Sequence, residues 1–418
     1  MRSLWLAWLP LLFLPNFGLG GPTGFGTLEL SDFLIAPFLA LVALAGRRRG
    51  PLTIHRLAPL LVGFAGWALL STILVRERYG YPDHLAVIGG LLKLGKLVLY
   101  GTAGVLAARA IGDEGPWGWF PWALLAAGLV VAVALLQVQD PADAFHLSRA
   151  PAGYKAANAV SIMMAVLLCY LGGLWACGLG TPRWRSLAGP GLAVMALGFL
   201  LSRGRGGWVA ALAGAAYIIY RRGLGPRLMV ALLGAVAVTG VAYGTLPDFR
   251  TEVDRTIWPD PDALRWTQSG VGGFDDGARL NTWVHELGAF VRSPLLGTGF
   301  FHRGGASGLW ATGSHNFFLQ MFLETGLVGG LLVLGALLRM WRDAGSAPAR
   351  SLGQDVPVRS ALVAALVGGL TGEYFYGGMV LFTLLLVFAP IGGLGSPVGP
   401  AGSDPLSLDG PIVPDGQA

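Results

Sequence analysis

Long apolar stretches constrain this chain more than any other feature of its sequence. Of its 418 residues, 54% are hydrophobic and 12% are charged, whereas a typical soluble domain carries about 25% charged residues. A helix that crosses a bilayer needs about 20 mostly apolar residues, and about twelve segments meet that need. They are residues 4–20, 28–45, 57–75, 85–108, 119–138, 158–179, 187–202, 206–220, 227–246, 315–338, 358–372 and 375–393. We predict an all-α polytopic membrane protein whose transmembrane domain covers residues 1–393.

The distribution of basic residues predicts how these segments are oriented. Lys and Arg are enriched in cytoplasmic connections of membrane proteins. With a cytoplasmic N-terminus, the basic groups that fall inside are Arg47, Arg48, Arg49, Arg56, Arg183, Arg185, Arg221, Arg222, Arg227, Arg339, Arg342 and Arg350. The net charge of +6 then records topology, and we expect no nucleic-acid partner. Both termini are predicted to be cytoplasmic, with residues 4–20 kept as the first span.

Two segments outside the spans differ in character. Residues 247–313 form the only long connection, and the predicted orientation places it on the outer face of a bacterial inner membrane. Residues 394–418 are rich in Gly, Pro and Ser, a composition that is typical of disorder. We therefore predict a long periplasmic loop and a disordered cytoplasmic tail.

The stretch "LSRGRGGWVA" places two arginines in a short connection between apolar segments. Arg203 and Arg205 alternate with glycines, which permit tight turns and close approach of the backbone to a ligand. Guanidinium groups facing outward suit a phosphate or pyrophosphate. The alternative is a tight hairpin whose arginines contact lipid head groups.

Two lysines fall near the middle of a predicted span, in "LLKLGKLVLY". Lys93 and Lys96 are three residues apart and so share one helix face. Ionisable groups at that depth are costly and are candidates for function. A cavity that holds an anion, or a buried acid such as Glu324 or Glu373, would explain them. The alternative is a misplaced span boundary with lysines that extend to the interface.

The stretch "SHNFFLQMFLETGLVGG" opens a span with two polar residues. His315 and Asn316 lie at its outer mouth, and Glu324 follows nine residues after the histidine. That spacing puts Glu324 on roughly the opposite helix face, so we expect helix packing for Glu324 and no direct pair with His315. Gly326 and Gly330 are four apart, a pattern that favours close packing of another helix.

The long outer loop contains a predicted amphipathic helix. Asp275 or Asp276 can cap it, and its apolar face is formed by Trp283, Leu287, Phe290 and Val291. Such a face, with a tryptophan, suits the membrane interface. Pro294, Gly297 and Gly299 end the helix. We predict a lid that lies on the membrane and presents Arg279 from its first turn.

Metal and thiol chemistry find little support in the sequence. Asp260 and Asp262 form an Asp-x-Asp pair, but Pro261 between them favours a simple turn. Cys169 and Cys177 lie eight apart in an apolar segment, a spacing that matches no metal site. We expect both cysteines to be packing residues and predict no metal site.

Four segments together resemble the bacterial O-antigen ligase and O-antigen polymerase superfamily. The first is "RAPAGYKAANAVSIMM", with Arg149, Gly153 and Asn158, and the second is "SRGRGGWVA". The third is "RLNTWVHELGAFVRSPLLGTGF", and the fourth is the His-Asn pair at 315 and 316 followed by Gly326 and Gly329. They occur in the superfamily's order over residues 149–330, and the layout of spans with one long outer loop also fits.

The resemblance implies a lipid-linked glycan transferase with a fold similar to the membrane-embedded glycosyltransferase class. Such enzymes move a glycan from undecaprenyl pyrophosphate to an acceptor hydroxyl at the outer face, without a metal, a cofactor or a nucleotide sugar. The pyrophosphate-binding arginines correspond to Arg279 and to Arg203 or Arg205, and His315 corresponds to the base. Asn316 is expected to orient His315 or to hold a sugar hydroxyl.

Several functions stay open at this stage. A ligase transfers to a lipid A-core sugar, a polymerase lengthens the glycan, and a protein O-oligosaccharyltransferase modifies Ser or Thr. A transporter of polyprenyl lipids, with no chemistry, is the alternative of a different class. A transporter predicts charged residues along the whole path and paired repeats, and the sequence shows neither. The ligase is our first expectation, with a glycolipid or glycan acceptor and the bilayer as partners.

Overall fold

The computed structural model describes a subset of the chain, and every structural statement below concerns this subset. The described residues are 30–46, 57–79, 84–111, 157–179, 188–193, 195, 196, 199, 204–223, 225–245, 250, 254, 276–300, 316–345 and 353–372. Within them the regular secondary structure is helical, with no strand. The predicted all-α class is confirmed for this part of the chain.

The helices of the described residues follow the predicted spans closely. Their bounds are α1 Leu30–Gly46, α2 Ala58–Tyr79, α3 His84–Ile111, α4 Ala157–Ala176, α5 Arg205–Arg222, α6 Pro226–Thr245, α7 Asp276–Arg292, α8 Phe317–Ala344 and α9 Asp355–Thr371. Predicted spans 4–20, 119–138 and 375–393 lie outside the described residues, as does the tail 394–418, and 187–202 is described only in part. The total of about twelve spans therefore stays a prediction.

Three of these helices are long and apolar enough to cross a bilayer over their own length. The spanning stretches are Ala58–Val75 in α2, Gly90–Ala107 in α3 and Phe317–Ala344 in α8. Their surfaces carry many exposed large apolar side chains, including Val62, Leu92 and Leu331. Exposed apolar side chains on a long apolar helix suit contact with lipid, and the chain is an integral membrane protein.

Helices α4, α5 and α9 form the most closely packed group. Ser161 of α4 contacts the start of α5 and Cys169 contacts Ala211 further along α5, so α4 and α5 are parallel. Ser360 of α9 donates to the carbonyl oxygen of Cys169, and Gly173 lies against Pro357. Helix α9 is therefore antiparallel to α4 and α5, as the predicted alternation of spans requires.

Small residues allow this close packing. A Cβ at Gly207 would meet Ser161, and a Cβ at Gly214 would meet Cys169 and Ser360. Close approach of backbones at small residues is typical of helix pairs in membranes. The predicted packing role of Cys169 is confirmed, because its side chain is buried between α4 and α5.

Helix α8 packs on α2 and joins α1, α2, α3 and α7 to this group. Gly63 of α2 lies beside Leu332 and Leu60 lies beside Gly335, so α2 and α8 are antiparallel. Helix α3 packs on α1 and α2, α7 packs on α8, and α8 also contacts α9. The result is a helical bundle in which α8 is central.

The end of α8 is tied to the start of α9 by an arginine. The Arg359 guanidinium stacks on the Trp341 ring at 4.8 Å from its centroid, and its Nη2 donates to the Trp341 carbonyl oxygen at 3.3 Å. Nearby, Arg221 of α5 pairs with Asp355 of α9 at 3.3 Å. Helix α9 is thus antiparallel to α8 as well.

Candidate functional site

One end of the bundle collects the first turns of α4, α5 and α8, and we call it the outer end. These three helices begin there because α9 is antiparallel to each of them. Asn158 lies in the first turn of α4, Arg205 is the first residue of α5, and Asn316 caps α8. The first turns that carry these three predicted site residues therefore point the same way along the bundle.

The start of α5 is held tightly by its neighbours. Gly204 precedes the helix in an extended conformation with no side-chain cap, and its carbonyl oxygen accepts a bond from Ser161 Oγ at 2.8 Å. A Cβ at Gly206 would meet Thr371, at the end of α9. We expected the glycines of this stretch to approach a ligand, but Gly206 and Gly207 instead make room for neighbouring helices.

This packing fixes the chain position of Arg205. Arg205 begins α5 beside the outer ends of α4 and α9, while Arg203 lies just outside the described residues. Asn158 is three residues before Ser161, which bonds to Gly204. Arg149 also lies outside the described residues.

Helix α8 is interrupted at Gly326, one-third of the way along its length. Gly326 has φ 66° and ψ −170°, a conformation that favours glycine. A Cβ there would meet the carbonyl of Leu295. The predicted use of Gly326 and Gly330 in packing another helix is wrong: Gly326 adjoins a loop, and a Cβ at Gly330 would meet Phe322 of α8 itself.

The loop that fills this interruption is the segment 293–300, which follows α7. Its Thr298 and Gly299 N–H groups donate to the carbonyl oxygens of Leu323 and Glu324, at 2.9 and 3.0 Å. In return, the Leu327 N–H donates to the Pro294 carbonyl oxygen at 2.7 Å. Backbone groups released by a break at membrane depth need such partners, and the Pro-Leu-Leu-Gly-Thr-Gly sequence supplies them.

Side chains of α2 bond both to the 293–300 segment and to α8 at the break. Trp67 Nε1 donates to the Thr325 carbonyl oxygen at 2.7 Å, and Ser71 Oγ donates to the Leu296 carbonyl oxygen at 2.5 Å. The Phe300 N–H donates to Thr72 Oγ1 at 2.9 Å. Helix α3 also contributes, since a Cβ at Gly90 would lie 2.5 Å from the Phe300 carbonyl oxygen.

Sequence reasoning did not single out Trp67, Ser71 or Thr72. Ser71 and Thr72 are buried side chains within an apolar span. Polar side chains there commonly bond inside the helix or across to a neighbour. That signal was present, but their partner is a loop more than 200 residues later, which no local pattern reveals.

Helix α7 is confirmed where the sequence predicted an amphipathic helix, but its faces differ from the prediction. Phe290 packs edge-on against Phe322 of α8 at 6.3 Å between centroids. Leu287 and Val291 are instead exposed, together with Val284. One apolar stripe of α7 therefore faces away from the bundle.

Arg279 falls in the first turn of α7. Glu286, two turns later in the same helix, is buried.

The lysines of α3 lie within the stretch Gly90–Ala107 that is able to span the membrane. Lys93 and Lys96 are half-buried, and Lys96 Nζ lies 5.6 Å from the ring centroid of Tyr100. A cation over an aromatic face is stabilised by the ring quadrupole. Lys93 lies one turn beyond Gly90, which touches Phe300, so it falls close to the end of the 293–300 segment.

Asn316 has a structural role at the start of α8. Its side-chain oxygen accepts a bond from the Leu319 N–H at 3.1 Å, the arrangement of a helix N-cap. His315 precedes it and lies outside the described residues. The cap fixes the point at which the chain leaves His315 and enters the helix.

Glu324 lies next to the break in α8 and is buried. Its Oε1 accepts a bond from Gln320 Nε2 at 2.5 Å, within the same helix. Its carbonyl oxygen accepts from Gly299. These contacts agree with the predicted packing role.

Candidate metal ligands were also compared in space. Among the described residues, no three His, Cys, Asp or Glu side chains lie close enough to hold an ion. Asp260 and Asp262 lie outside those residues.

A family model described as O-antigen ligase (Wzy_C) matches residues 190–334. Residues 190–334 belong to the O-antigen ligase family. The matched region contains Arg203, Arg205, Arg279, His315 and the break at Gly326. A comparison with individually curated protein sequences gives no significant match.

This match relates residues 190–334 to a glycosyltransferase-like family whose members act on glycans by ligase-type or polymerase-type transfer. It also includes two stretches whose backbones bond to each other, Pro294–Gly299 after α7 and the break at Gly326 in α8. We call this arrangement the interlock. Lys93, Arg149 and Asn158 fall outside the matched residues, and so does all of α2.

Proposed function

We propose that this protein is an O-antigen ligase-type glycosyltransferase of the bacterial inner membrane. It moves a glycan from undecaprenyl pyrophosphate to an acceptor hydroxyl, a lipid A-core sugar, at the periplasmic face. The observation that carries the proposal is the family match over residues 190–334, which spans both arginine segments and the histidine. The common outer end of α4, α5 and α8 supports a single site there.

Arginines stabilise the leaving group in this proposal. When the bond between sugar C1 and the phosphate oxygen breaks, undecaprenyl pyrophosphate departs with its negative charge. Guanidinium groups bind phosphate oxygens in a fixed fork and remain charged, and donors aimed at developing charge lower the barrier. Arg279 and either Arg203 or Arg205 take this role, without a metal ion or other cofactor.

His315 acts as the general base. The acceptor oxygen attacks sugar C1 and forms the new glycosidic bond while its proton passes to the imidazole. A side chain with a pKa near neutrality suits this task, and such catalysis contributes about 10²- to 10⁴-fold in rate. The Asn316 cap supports the assignment, because it anchors the chain directly after the histidine.

Further polar residues complete the proposed substrate site. Asn158 begins α4 beside the start of α5, and Arg149 precedes it in the chain. We assign both, with Asn316, to binding of the glycan or the pyrophosphate. Lys93 and Lys96 supply positive charge on the membrane side of the 293–300 segment, where they suit the anionic end of the lipid donor.

Helix α7 provides a route for the lipid donor. Its exposed stripe of Val284, Leu287 and Val291 suits the interface between head groups and acyl chains. Glu286 is buried and so occupies the other side of the helix. A polyprenyl chain then enters from the bilayer under α7, while the acceptor arrives from water.

The decisive experiment reconstitutes the protein in liposomes with EDTA and without nucleotides. An undecaprenyl-pyrophosphate glycan is supplied with or without a lipid A-core acceptor, and native protein is compared with His315→Ala. We expect product that requires both the lipid acceptor and the histidine. Full transfer by His315→Ala overturns the base assignment, and a requirement for a divalent ion overturns the metal-free mechanism.

The same assay separates the alternatives. A ladder of lengthened glycan without the lipid acceptor identifies a polymerase that uses the same donor. Transfer to a Ser- or Thr-containing protein acceptor identifies a protein O-oligosaccharyltransferase. Movement of the donor across the bilayer with no new glycosidic bond identifies a transporter.

A further inference from the structure

The 293–300 segment connects the two ends of the proposed chemistry. Arg279 precedes it on α7, and the chain that follows Phe300 leads to His315 at the start of α8. Because the segment joins the end of α7 to the break in α8, a shift of the segment moves α7, which carries Arg279, relative to α8, which begins directly after His315 and Asn316. Its placement is a property of the site and not only of the fold.

Side chains of α2 fix that placement. Ser71 and Thr72 bond to the segment itself, at Leu296 and Phe300. Trp67 bonds to Thr325 within the break that the segment fills. We infer that Trp67, Ser71 and Thr72 are positioning residues for glycan transfer, although they lie outside the family-matched residues 190–334. This inference rests on the proposed function.

Because these bonds are buried, they hold the 293–300 segment in a defined position. Ser71 and Thr72 are buried, and the Phe300 ring packs edge-on against Phe64 of α2 at 6.0 Å between centroids. Polar backbone groups at this depth have no water to replace a lost partner. Removing one bond therefore favours a shift of the segment toward another partner.

Such a shift affects the chemistry more than the fold. Misplacement of a reacting group by about 1 Å can lower the rate about 100-fold. The helices themselves remain packed, because α2 and α8 also meet at Gly63 and Gly335. We therefore expect a loss in kcat at nearly unchanged KM for the lipid donor.

The test compares four variants of the full-length protein in liposomes. Thr72→Val removes the hydroxyl that receives the Phe300 N–H, and Trp67→Phe removes the N–H that bonds to Thr325. Each is expected to lower kcat by about 10- to 100-fold. Thr72→Ser keeps the acceptor oxygen and is expected to restore kcat to within about twofold of native.

Thr102→Val is the matched control. Thr102 Oγ1 bonds to the carbonyl oxygen four residues earlier, as Thr72 Oγ1 does. Unlike the buried Thr72, Thr102 is exposed on the surface of α3. The control therefore removes the same intrahelical bond from an exposed position. Its kcat is expected to match that of native protein.

Amide hydrogen exchange gives a readout that needs no activity. The N–H groups of Thr298, Gly299, Phe300 and Leu327 donate the hydrogen bonds that join the 293–300 segment to α2 and α8. Thr72→Val and Trp67→Phe should accelerate exchange in peptides covering 293–300 by about tenfold. Peptides of α4 and α9 should keep native protection.

The outcomes separate the two proposals. Native kcat and native exchange in both Thr72→Val and Trp67→Phe overturn the positioning role. An equal loss in Thr72→Ser also overturns it, because that variant keeps the bond. If native protein forms no product at all, the proposed function fails and the role in transfer fails with it. In that case, amide hydrogen exchange tests only whether the α2 side chains hold the interlock in place.

Discussion

The α4–α5–α9 group and the break in α8 both bring backbones together at membrane depth, by different means. In the first, uninterrupted helices approach at glycines, with Ser161 and Ser360 among the polar contacts between them. In the second, a helix is opened and its backbone groups bond to a loop. The first arrangement gives a rigid frame, whereas the second brings the end of α7 into the bundle near the start of α8.

The difference teaches where change is tolerated. Small-residue packing depends on volume, so one added methyl group is felt along the whole contact. The break depends on individual hydrogen bonds, so its geometry changes when one donor is removed. We expect variants of the frame to lower stability and variants near the break to lower transfer.

The largest expected effect concerns charge at the site. Arg279→Ala should lower kcat by about 10²- to 10³-fold, as loss of one stabilising donor does in other enzymes, with expression unchanged. Arg292→Ala is the control, since Arg292 is an exposed arginine in the last turn of the same helix. A variant whose only defect is lower thermal stability would make Arg279 structural.

The next effect concerns the break itself. Gly326→Ala forces a Cβ onto the Leu295 carbonyl, and φ 66° with ψ −170° lies in a region almost confined to glycine, which costs other residues about 1–3 kcal/mol. We expect transfer to fall by less than in Arg279→Ala, and the thermal midpoint to drop. Gly66→Ala, at a position with open space, is the control. Native activity in Gly326→Ala would show that the interruption is not required for transfer.

Frame packing is tested by a third glycine. Gly207→Ala places a Cβ against Ser161, and overpacking of this kind costs about 1–3 kcal/mol. The expected result is lower thermal stability in detergent, with kcat nearly native in the protein that remains folded. Gly172→Ala on α4, where a Cβ meets nothing, should not lower stability. Equal behaviour of the two variants would contradict the close packing of α4 and α5.

The smallest effect concerns a single bond in the frame. Ser360 Oγ donates to the Cys169 carbonyl oxygen at 2.9 Å and to the Pro357 carbonyl oxygen at 2.7 Å. Ser360→Ala should reduce stability by about 0.6 kcal/mol, the average for hydrogen bonds between membrane helices. Chemical unfolding in mixed micelles measures it. A loss of transfer with no change in stability would place Ser360 in the site and weaken the contrast between the regions.

The sequence predicted the frame better than the break. Apolar length determines where a span begins and ends, and α4 at Ala157–Ala176 and α9 at Asp355–Thr371 lie close to the segments predicted for them. Gly326 was misread because one glycine in an apolar run looks the same whether it receives a helix or interrupts one. Its positive φ depends on the segment around Leu295, which is a tertiary contact.

The residues of the candidate site were predicted from sequence motifs, but the residues that hold them in place were not. Pro294, Gly297 and Gly299 were taken to end a helix, and they do follow α7. Their bonds to Leu323 and Glu324 are set by the fold. The α2 residues Trp67 and Thr72 carry no local motif, so only the structure connects them to that loop.

Chain order gives the break in α8 a consequence for biosynthesis. Ser71 and Thr72 leave the ribosome first, the Pro294–Gly299 stretch follows, and Gly326 comes last. Each partner of the interrupted helix is therefore made before the helix that needs it. Helix α8 inserted alone would expose the carbonyl oxygens of residues 323–325 to lipid, whereas docking on α2 and the 293–300 segment gives these oxygens partners. Moving α8 ahead of α2 by circular permutation would reverse that order, so α8 would enter the membrane before its bonding partners are made.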